Sequence, residues 1–317
     1  AEAQKYMPGA VEGDLVEVET KAKQFGRIAA QTAKGVIIQG IREAEREAAY
    51  GRFTSKSHEM LTGTVLRIDP INNGITVRIG TGTDKMDAYL SASEQVPGES
   101  WVEGDTIRVY VVDVRKSSHG AQMMVSRTHP GLVKRLFELE VPEIADGTVE
   151  IRSIAREAGS RTKLAVWASD PDIDPVGTCV GPRGGRVGAV VDELGGEKMD
   201  IIKYSEDPAE FVAAALSPAD VLEVITYPGT KNCRVIVPDD QLSLAIGKEG
   251  QNARLAARLT GYKIDIKSKT AAEELEEEEA PLAEAQTAEE QNEAAEAAEA
   301  PADFVAETDE ELVTLDD

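Results

Sequence analysis

Hydrophobic and polar residues follow a helical period near the start of the chain. Apolar residues recur at a spacing close to 3.6 from Lys23 to Tyr50, which predicts a long amphipathic helix. A weak alternation at Leu15–Glu19 predicts a short strand before this helix. The stretch 51–57 combines glycine with small polar residues and predicts a linker after it.

Short alternating segments dominate residues 58–128. Turn residues such as Asn73, Gly74 and Gly98 separate these segments. The predicted strands are Leu61–Ile68, Ile75–Ile79, Met86–Leu90, Thr106–Val114 and Gln122–Ser126. Five strands over about 70 residues favour a small closed barrel of the OB type, with an SH3-like or other small β-barrel as the alternative.

From Pro130 onward helices and strands mix, and the order helix, strand, strand, helix, helix, strand occurs twice. The first copy ends in a predicted strand at Lys198–Lys203 and the second in one at Tyr262–Lys267. Between the last two helices of each copy lies a Gly-x-x-Gly tetrapeptide, and the two tetrapeptides are 66 positions apart. One copy alone would more often be a tight corner in which glycine supplies a positive φ. Two copies in the same frame favour tandem prokaryotic-type KH domains, which clamp single-stranded nucleic acid.

The chemistry of these tetrapeptides suits a phosphate backbone. Glycine lacks the Cβ that would obstruct a sugar-phosphate chain, and the following helix presents its free N–H groups and positive dipole end. Arg183 and Lys248 add one cation to each turn. The candidate RNA-binding residues are Gly181, Pro182, Arg183, Gly184 and Arg186 in the first copy and Gly247, Lys248, Glu249, Gly250, Asn252 and Arg254 in the second.

The predicted barrel offers a second candidate surface for RNA, since OB-folds stack bases on exposed aromatic side chains. The aromatic candidates are Tyr89, Trp101 and Tyr110, although Tyr110 lies in an apolar strand that is typical of a core. Basic candidates for contact with the RNA backbone are Arg67, Arg78, Arg108, Arg115, Lys116 and Arg127. A solvated strand face explains each of these basic residues equally well.

The charge of the chain is unevenly distributed. The formal net charge is −24, but residues 271–317 contain 19 acidic residues and no basic one. The remainder, with 34 basic and 39 acidic residues, is close to neutral and compatible with a basic groove. The Glu/Ala-rich segment 270–317 has few large apolar residues, so we expect a disordered acidic tail.

Catalytic and metal-binding patterns are missing from the sequence. Cys179 and Cys233 lie far apart in apolar runs and are expected to be buried, and the three histidines form no ligand pair. Neither tetrapeptide has the spacing of a nucleotide-binding loop. We therefore predict a non-enzymatic protein without metal or cofactor. The sequence contains no apolar run of membrane-spanning length and no signal-peptide pattern, which favours a cytoplasmic protein without a membrane partner.

Four segments resemble the NusA family of transcription termination and antitermination factors. They are Phe25–Lys34, Ser126–Pro130, Glu140–Ile151 and Asp239–Ala257, in the family's order. The resemblance implies an α+β multidomain chain. Its domains would be the C-terminal part of a polymerase-binding domain with a connecting helix (1–57), an S1-type OB barrel (58–128), two KH domains (129–204 and 205–269) and the acidic tail (270–317).

The same resemblance implies a function and partners. The chain would modulate pausing, termination and antitermination while bound to RNA polymerase and nascent single-stranded RNA, with other antitermination factors as further partners. We expect it to act as a monomer. The alternatives are an RNA-binding accessory of an RNA-turnover complex, such as an exosome cap or polynucleotide phosphorylase, and a ribosome-associated KH protein. The acidic tail disfavours the ribosomal alternative.

Overall fold

The computed structural model describes residues 7–9, 11, 15, 27–80, 85–117 and 120–274 of the chain. These residues form a long helix, a closed five-stranded barrel and two three-stranded sheets with their helices, which confirms the predicted α+β multidomain class. The chain divides into two compact units, residues 1–135 and 136–317. The strand predicted at Leu15–Glu19 falls mainly on residues outside the described part, as do residues 275–317 of the predicted tail. The first residues of that tail, 270–274, are helical and Ala272 is buried, so the prediction of disorder from residue 270 was wrong for them.

The first element is the helix α1 (Arg27–Thr54), which continues four residues past its predicted end at Tyr50. The prediction of a linker over 51–57 was therefore wrong for its first half. The reason is tertiary packing, because Tyr50 and Phe53 pack against the buried core of the barrel. This packing stabilises one more helical turn. The Thr54 hydroxyl also donates a hydrogen bond to the Tyr50 carbonyl at 2.7 Å.

Five strands close the barrel in the order β1-β2-β3-β5-β4. Strands β3 and β5 pair in parallel and every other pair is antiparallel, as in an OB-fold. Alternate residues point inward, so Val65, Val77, Leu90, Val109 and Met123 are almost completely buried. The strand bounds are β1 (Met60–Ile68), β2 (Ile75–Ile79), β3 (Met86–Leu90), β4 (Thr106–Ser117) and β5 (Gly120–Ser126).

Arg127 lies directly after the barrel strands and is buried, with a side chain only 1% exposed. Its guanidinium donates to the two carboxylate oxygens of Glu99 at 2.6 and 2.7 Å and to the Arg108 carbonyl at 2.7 Å. The proposal that Arg127 contacts an RNA backbone was therefore wrong, because its charge is already satisfied inside the protein.

The first αββααβ module, Pro130–Lys203, has a three-stranded sheet in the order β6-β7-β8. Strands β6 and β7 are antiparallel, whereas β7 and β8 are parallel. Strand β8 therefore lies at one edge of the sheet. The elements are α2 (Pro130–Glu140), α3 (Pro142–Ala145), β6 (Val149–Glu157), β7 (Arg161–Ala168), α4 (Pro175–Val180), α5 (Gly185–Glu193) and β8 (Lys198–Lys203).

The second module, Pro208–Ser268, repeats the same topology. Its sheet has the order β11-β10-β9, with β10 and β11 parallel and β11 at an edge. The elements are α6 (Pro208–Ala215), β9 (Glu223–Thr226), β10 (Asn232–Val237), α7 (Leu242–Ile246), α8 (Gln251–Thr260) and β11 (Lys263–Ser268). The predicted repeat is confirmed, including the one-residue difference in spacing before the last strand.

One hydrophobic core joins the two modules. Ala165 and Ile202 from the first module belong to the same buried cluster as Phe211, Leu216 and Val235 from the second. Both cysteines are buried, as predicted. The two modules are thus held together by apolar contact and act as a single packed body.

A buried ion pair fixes the turn at the end of the first hairpin. Arg156 and Glu197 lie 2.9 Å apart with side chains 1% and 0% exposed, and Glu197 also accepts from the Thr162 hydroxyl and the Gly159 amide. Burial raises the pKa of the Glu197 carboxyl. The hydrogen bonds from Arg156 and Thr162 outweigh this effect, so the pKa lies below its usual value of 4.5.

We predict that Glu197→Gln lowers the free energy of unfolding at pH 7 by about 3–5 kcal/mol, because it leaves the Arg156 charge buried without a counter-ion. Urea denaturation measures the loss. Since the folded pKa is depressed, the contribution of Glu197 is complete above pH 4.5 and disappears as the pH falls through the folded pKa.

The matched control is Glu150→Gln, which removes the carboxylate from an exposed pair with Arg152. That change should cost less than about 1 kcal/mol. Equal losses for the two variants would contradict the assignment of a buried, stabilising carboxylate to Glu197.

Candidate nucleic-acid interface

The two Gly-x-x-Gly tetrapeptides form loops of the same backbone conformation. We call Gly181–Gly184 the first loop and Gly247–Gly250 the second loop. Gly181 has φ 73° and ψ 175°, and Gly247 has φ 74° and ψ 173°. Residues with a side chain rarely adopt this backbone conformation. In each loop the amide of the last glycine donates to the carbonyl of the first at 3.1 Å. The repeat seen in the sequence is therefore also a repeat in geometry.

The first glycine of each loop has a side chain packed tightly against it. A Cβ at Gly181 would lie 2.7 Å from Cγ of Arg186, and a Cβ at Gly247 would lie 2.8 Å from Cβ of Asn252. Glycine is thus required at these two positions by the protein's own packing. This differs from the prediction, which explained both glycines of each loop by the approach of RNA.

Arg186 and Asn252 stabilise the loops on the side that faces the rest of the protein. Arg186 donates to the Thr178 carbonyl at 2.8 Å and pairs with Glu143 at 3.0 Å. Asn252 is buried and donates to the carbonyls of Leu216 and Ala245 at 2.9 and 3.1 Å. These contacts brace the loop from within the protein, and a direct contact of either side chain with RNA stays a prediction.

The outer side of each loop is open. A Cβ at Gly184 would have its nearest neighbour 3.9 Å away, and one at Gly250 would have none within 4 Å. Arg183 and Lys248 are exposed, and within the described residues neither side chain forms a hydrogen bond or ion pair. Each loop therefore carries one exposed cation and a last glycine that leaves space for another molecule.

The two middle positions of the loop differ between the copies, because Pro182 corresponds to Lys248 and Arg183 to Glu249. Pro182 and Glu249 are both exposed, so the first loop carries a positive charge whereas Lys248 and Glu249 cancel in the second. Arg183 and Glu249 occupy matched left-handed positions with φ 55° and 53°. The loops thus share a backbone but differ in charge.

Each loop leads directly into a helix. Helices α5 and α8 begin at Gly185 and Gln251, and no side chain caps the N-terminus of either. The first N–H groups of a helix have no intrahelical partner and attract anions. Beside them lie the edge strands β8 and β11, against which α4 and α7 pack. Loop, helix and edge strand together form the kind of groove in which KH domains bind four nucleotides.

Arg254 lies one turn into α8 and is held in place. Its Nε donates to Glu157 of the first module at 2.7 Å and its Nη1 to the Glu249 carbonyl at 3.2 Å. The hydrogen bond with Glu157 raises the pKa of Arg254, and the bond from Arg254 lowers the pKa of Glu157. A phosphate contact by Arg254 would compete with Glu157.

A cleft of about 380 Å³ lies between the two modules beside the second loop. It places Lys198 and Arg161 of the first module near Lys248 of the second. Arg161 is paired with Asp200 at 2.6 Å, whereas Lys198 is exposed at the start of β8. The sequence did not single out Lys198 as a site residue, because only the packing of the two modules brings it to the second loop.

The barrel supports the second predicted surface only in part. Arg78, Arg115 and Lys116 are paired with Asp87, Asp113 and Glu47. Tyr110 is buried and stacks on His129 with ring centroids 4.6 Å apart, and Trp101 lies beneath the Arg127 guanidinium. Arg67 is exposed, and Arg108 and Tyr89 are half-buried, so these three remain as candidates on the barrel.

Other site types find no support in the described part of the chain. It contains no group of three or more His, Cys, Asp or Glu residues that could hold a metal ion. No helix among the described residues is both long and apolar enough to cross a membrane.

We predict that the two glycines of the second loop respond differently to substitution. Gly247→Ala should lower the free energy of unfolding by about 3 kcal/mol, because the backbone conformation and the contact with Asn252 both exclude a Cβ. Gly250→Ala should cost only about 1 kcal/mol, the strain of a left-handed alanine in open space. Urea denaturation measures both, and equal losses would contradict the internal role of Gly247.

Four family models together match most of residues 1–274. The NusA N-terminal domain matches residues 1–47, the S1 RNA binding domain residues 54–126, the NusA-like first KH domain residues 127–204 and the NusA-like second KH domain residues 208–274. The domains occur in the order that the sequence predicted.

Similar proteins are found among characterised relatives, each named transcription termination/antitermination protein NusA. The protein from Bacillus subtilis (strain 168) is 58% identical over 86% of this chain and 72% of its own length. That of Halalkalibacterium halodurans is 56% identical over 86% and 70%. The Mycobacterium tuberculosis H37Rv protein is 52% identical over 80% and 75%. With these identities and four matching domain models, the chain belongs to the NusA family.

Proposed function

We propose that this protein regulates transcription termination and antitermination by holding nascent single-stranded RNA on its two KH modules while it is associated with RNA polymerase. The similar proteins from Bacillus subtilis, Halalkalibacterium halodurans and Mycobacterium tuberculosis are named for transcription termination and antitermination. The candidate interface supplies the RNA contact that such a role needs.

The proposal is supported above all by three features that the two loops share. Each combines an exposed cation, an open last glycine and an uncapped helix N-terminus. These features favour a phosphate, while the adjoining edge strand offers backbone groups to a base. None of them depends on a particular RNA sequence, which suits a factor that follows a growing transcript.

The cleft between the modules would extend the binding surface of the second loop onto the first module. Lys198 and Lys248 lie on its two sides and would attract the phosphates that link the bases on each module. Because a shared hydrophobic core fixes the modules to one another, the second contact would be intramolecular once the first has formed.

The polymerase contact rests on the N-terminal region. Residues 1–47 match the NusA N-terminal domain, which the family resemblance implies is the polymerase-binding part. The RNA-turnover alternative is not favoured, since the similar proteins with more than half of their residues identical are transcription factors. Association with further antitermination factors belongs to the same proposal.

We predict that the double variant Arg183→Gln/Lys248→Gln binds single-stranded RNA more weakly and with less dependence on salt. If each side chain neutralises one phosphate, the slope of log K against log salt concentration should fall by about 0.7 for each cation removed. Binding isotherms at several salt concentrations measure the slope.

Lys231→Gln provides the control for each of the two substitutions made singly, because this exposed lysine lies in the β9–β10 turn and its replacement removes one positive charge, as each of them does. Its slope should match that of the wild type. A double variant that behaves like the control would contradict phosphate binding by the loops.

The transcriptional part of the proposal is tested with purified bacterial RNA polymerase and a template that carries a terminator. Wild-type protein should change the fraction of transcripts that end at the terminator, and the double variant should change it less. An effect of the same size with both proteins would show that the loops do not contribute to termination. If the wild-type protein has no effect, the proposed role in transcription is contradicted.

A further inference from the structure

Glu157, the last residue of β6, connects the first module to the start of α8 in the second. Its Oε1 accepts from Nε of Arg254 at 2.7 Å and its Oε2 from Nε2 of Gln251 at 2.8 Å. Gln251 follows the second loop directly and also donates to the Ser160 hydroxyl at 2.7 Å. One carboxylate of the first module thus holds two side chains on the first turn of the helix that follows the second loop.

The contact reaches the loop itself through Arg254. While its Nε is held by Glu157, its Nη1 donates to the carbonyl of Glu249 at 3.2 Å. Glu249 has a φ of 53°, a left-handed conformation that is unfavourable for a residue with a side chain. A bond to its carbonyl therefore favours the loop geometry over the alternatives open to this residue.

The first loop has no equivalent of this arrangement. The positions 66 residues before Gln251 and Arg254 are Gly185 and Gly188, which have no side chains. The first loop is instead braced by Arg186 and Glu143 within its own module. Dependence on the neighbouring module is thus a property of the second loop.

We propose that Glu157 is a positioning residue for RNA binding by the second loop and acts through Arg254. The inference rests on the proposed function and adds to it, because it makes the RNA affinity of the second module depend on the presence of the first. Glu157 does not contact RNA in this account; it orients the side chain that holds the loop.

A double-mutant cycle on RNA affinity tests the proposal. Glu157→Ala should weaken binding of single-stranded RNA by about fivefold, and Arg254→Ala by at least as much. The double variant should bind like Arg254→Ala alone, since Glu157 has no effect without Arg254. Arg258→Ala is the control, because Arg258 lies 3.9 Å from the same carboxylate and should leave the affinity within about twofold.

Amide hydrogen exchange of the full chain without RNA gives an independent measurement. The Gly250 amide donates to the Gly247 carbonyl, and its counterpart in the first loop, the Gly184 amide, donates to Gly181. Glu157→Ala should accelerate exchange at Gly250 and leave Gly184 unchanged.

Several outcomes would overturn the proposal: unchanged or tighter RNA binding by Glu157→Ala, additive effects in the cycle, or unaltered exchange at Gly250. Tighter binding would mean that Glu157 competes with phosphate for Arg254. A wild type that fails to bind RNA would contradict the proposed function, and the exchange experiment would still decide the role of Glu157.

Discussion

Packing of one side chain against the first glycine of each loop is the constraint on which the candidate interface depends. Arg186 and Asn252, each five residues after that glycine, approach it so closely that a Cβ at Gly181 or Gly247 would lie under 3 Å from them. The same two side chains hydrogen-bond carbonyls of the preceding helical segment. This packing turns the chain sharply, so that the last glycine and the helix N-terminus face outward.

The rest of the second unit keeps these two corners in fixed positions. A common hydrophobic core holds the modules together, and some charged side chains at their junction are buried in ion pairs. Lys163 is an example, since its fully buried amine donates to Asp200 at 3.1 Å and to the Ser217 carbonyl of the second module at 2.7 Å. Burial lowers the pKa of Lys163, although the Asp200 carboxylate opposes this shift. The loops are therefore attached to the shared, closely packed core of the two modules. A site that binds a flexible ligand requires such support.

Local patterns in the sequence predicted most of the elements. Strict alternation identified strands such as β2 and β3 with their observed bounds, and the repeated glycine spacing identified the two loops and their helices. These features succeeded because the information lies within a few neighbouring residues. The end of α1 was misjudged because its last turn is stabilised by packing on the barrel rather than by its own sequence.

Features that depend on distant residues were not predictable in this way. Arg127 donates to Glu99, which is 28 residues away in the sequence, and Arg254 donates to Glu157, which is 97 residues away. Nothing near either arginine in the sequence distinguishes it from Arg183, whose side chain has no hydrogen-bond or ion-pair partner among the described residues. The general lesson is that a basic residue near a nucleic-acid motif is a candidate contact only if the fold leaves its charge without a partner.

Contact of both loops with the RNA backbone can be measured through the amide chemical shifts of the loop residues. The chain, labelled with ¹⁵N, would be titrated with a single-stranded RNA long enough to reach both modules. If both loops bind the RNA backbone, the amide resonances of Gly184, Gly185, Gly250 and Gln251 should shift together at the same RNA concentration. Shifts confined to residues outside the two loops, with these four amides unmoved at saturation, would contradict it.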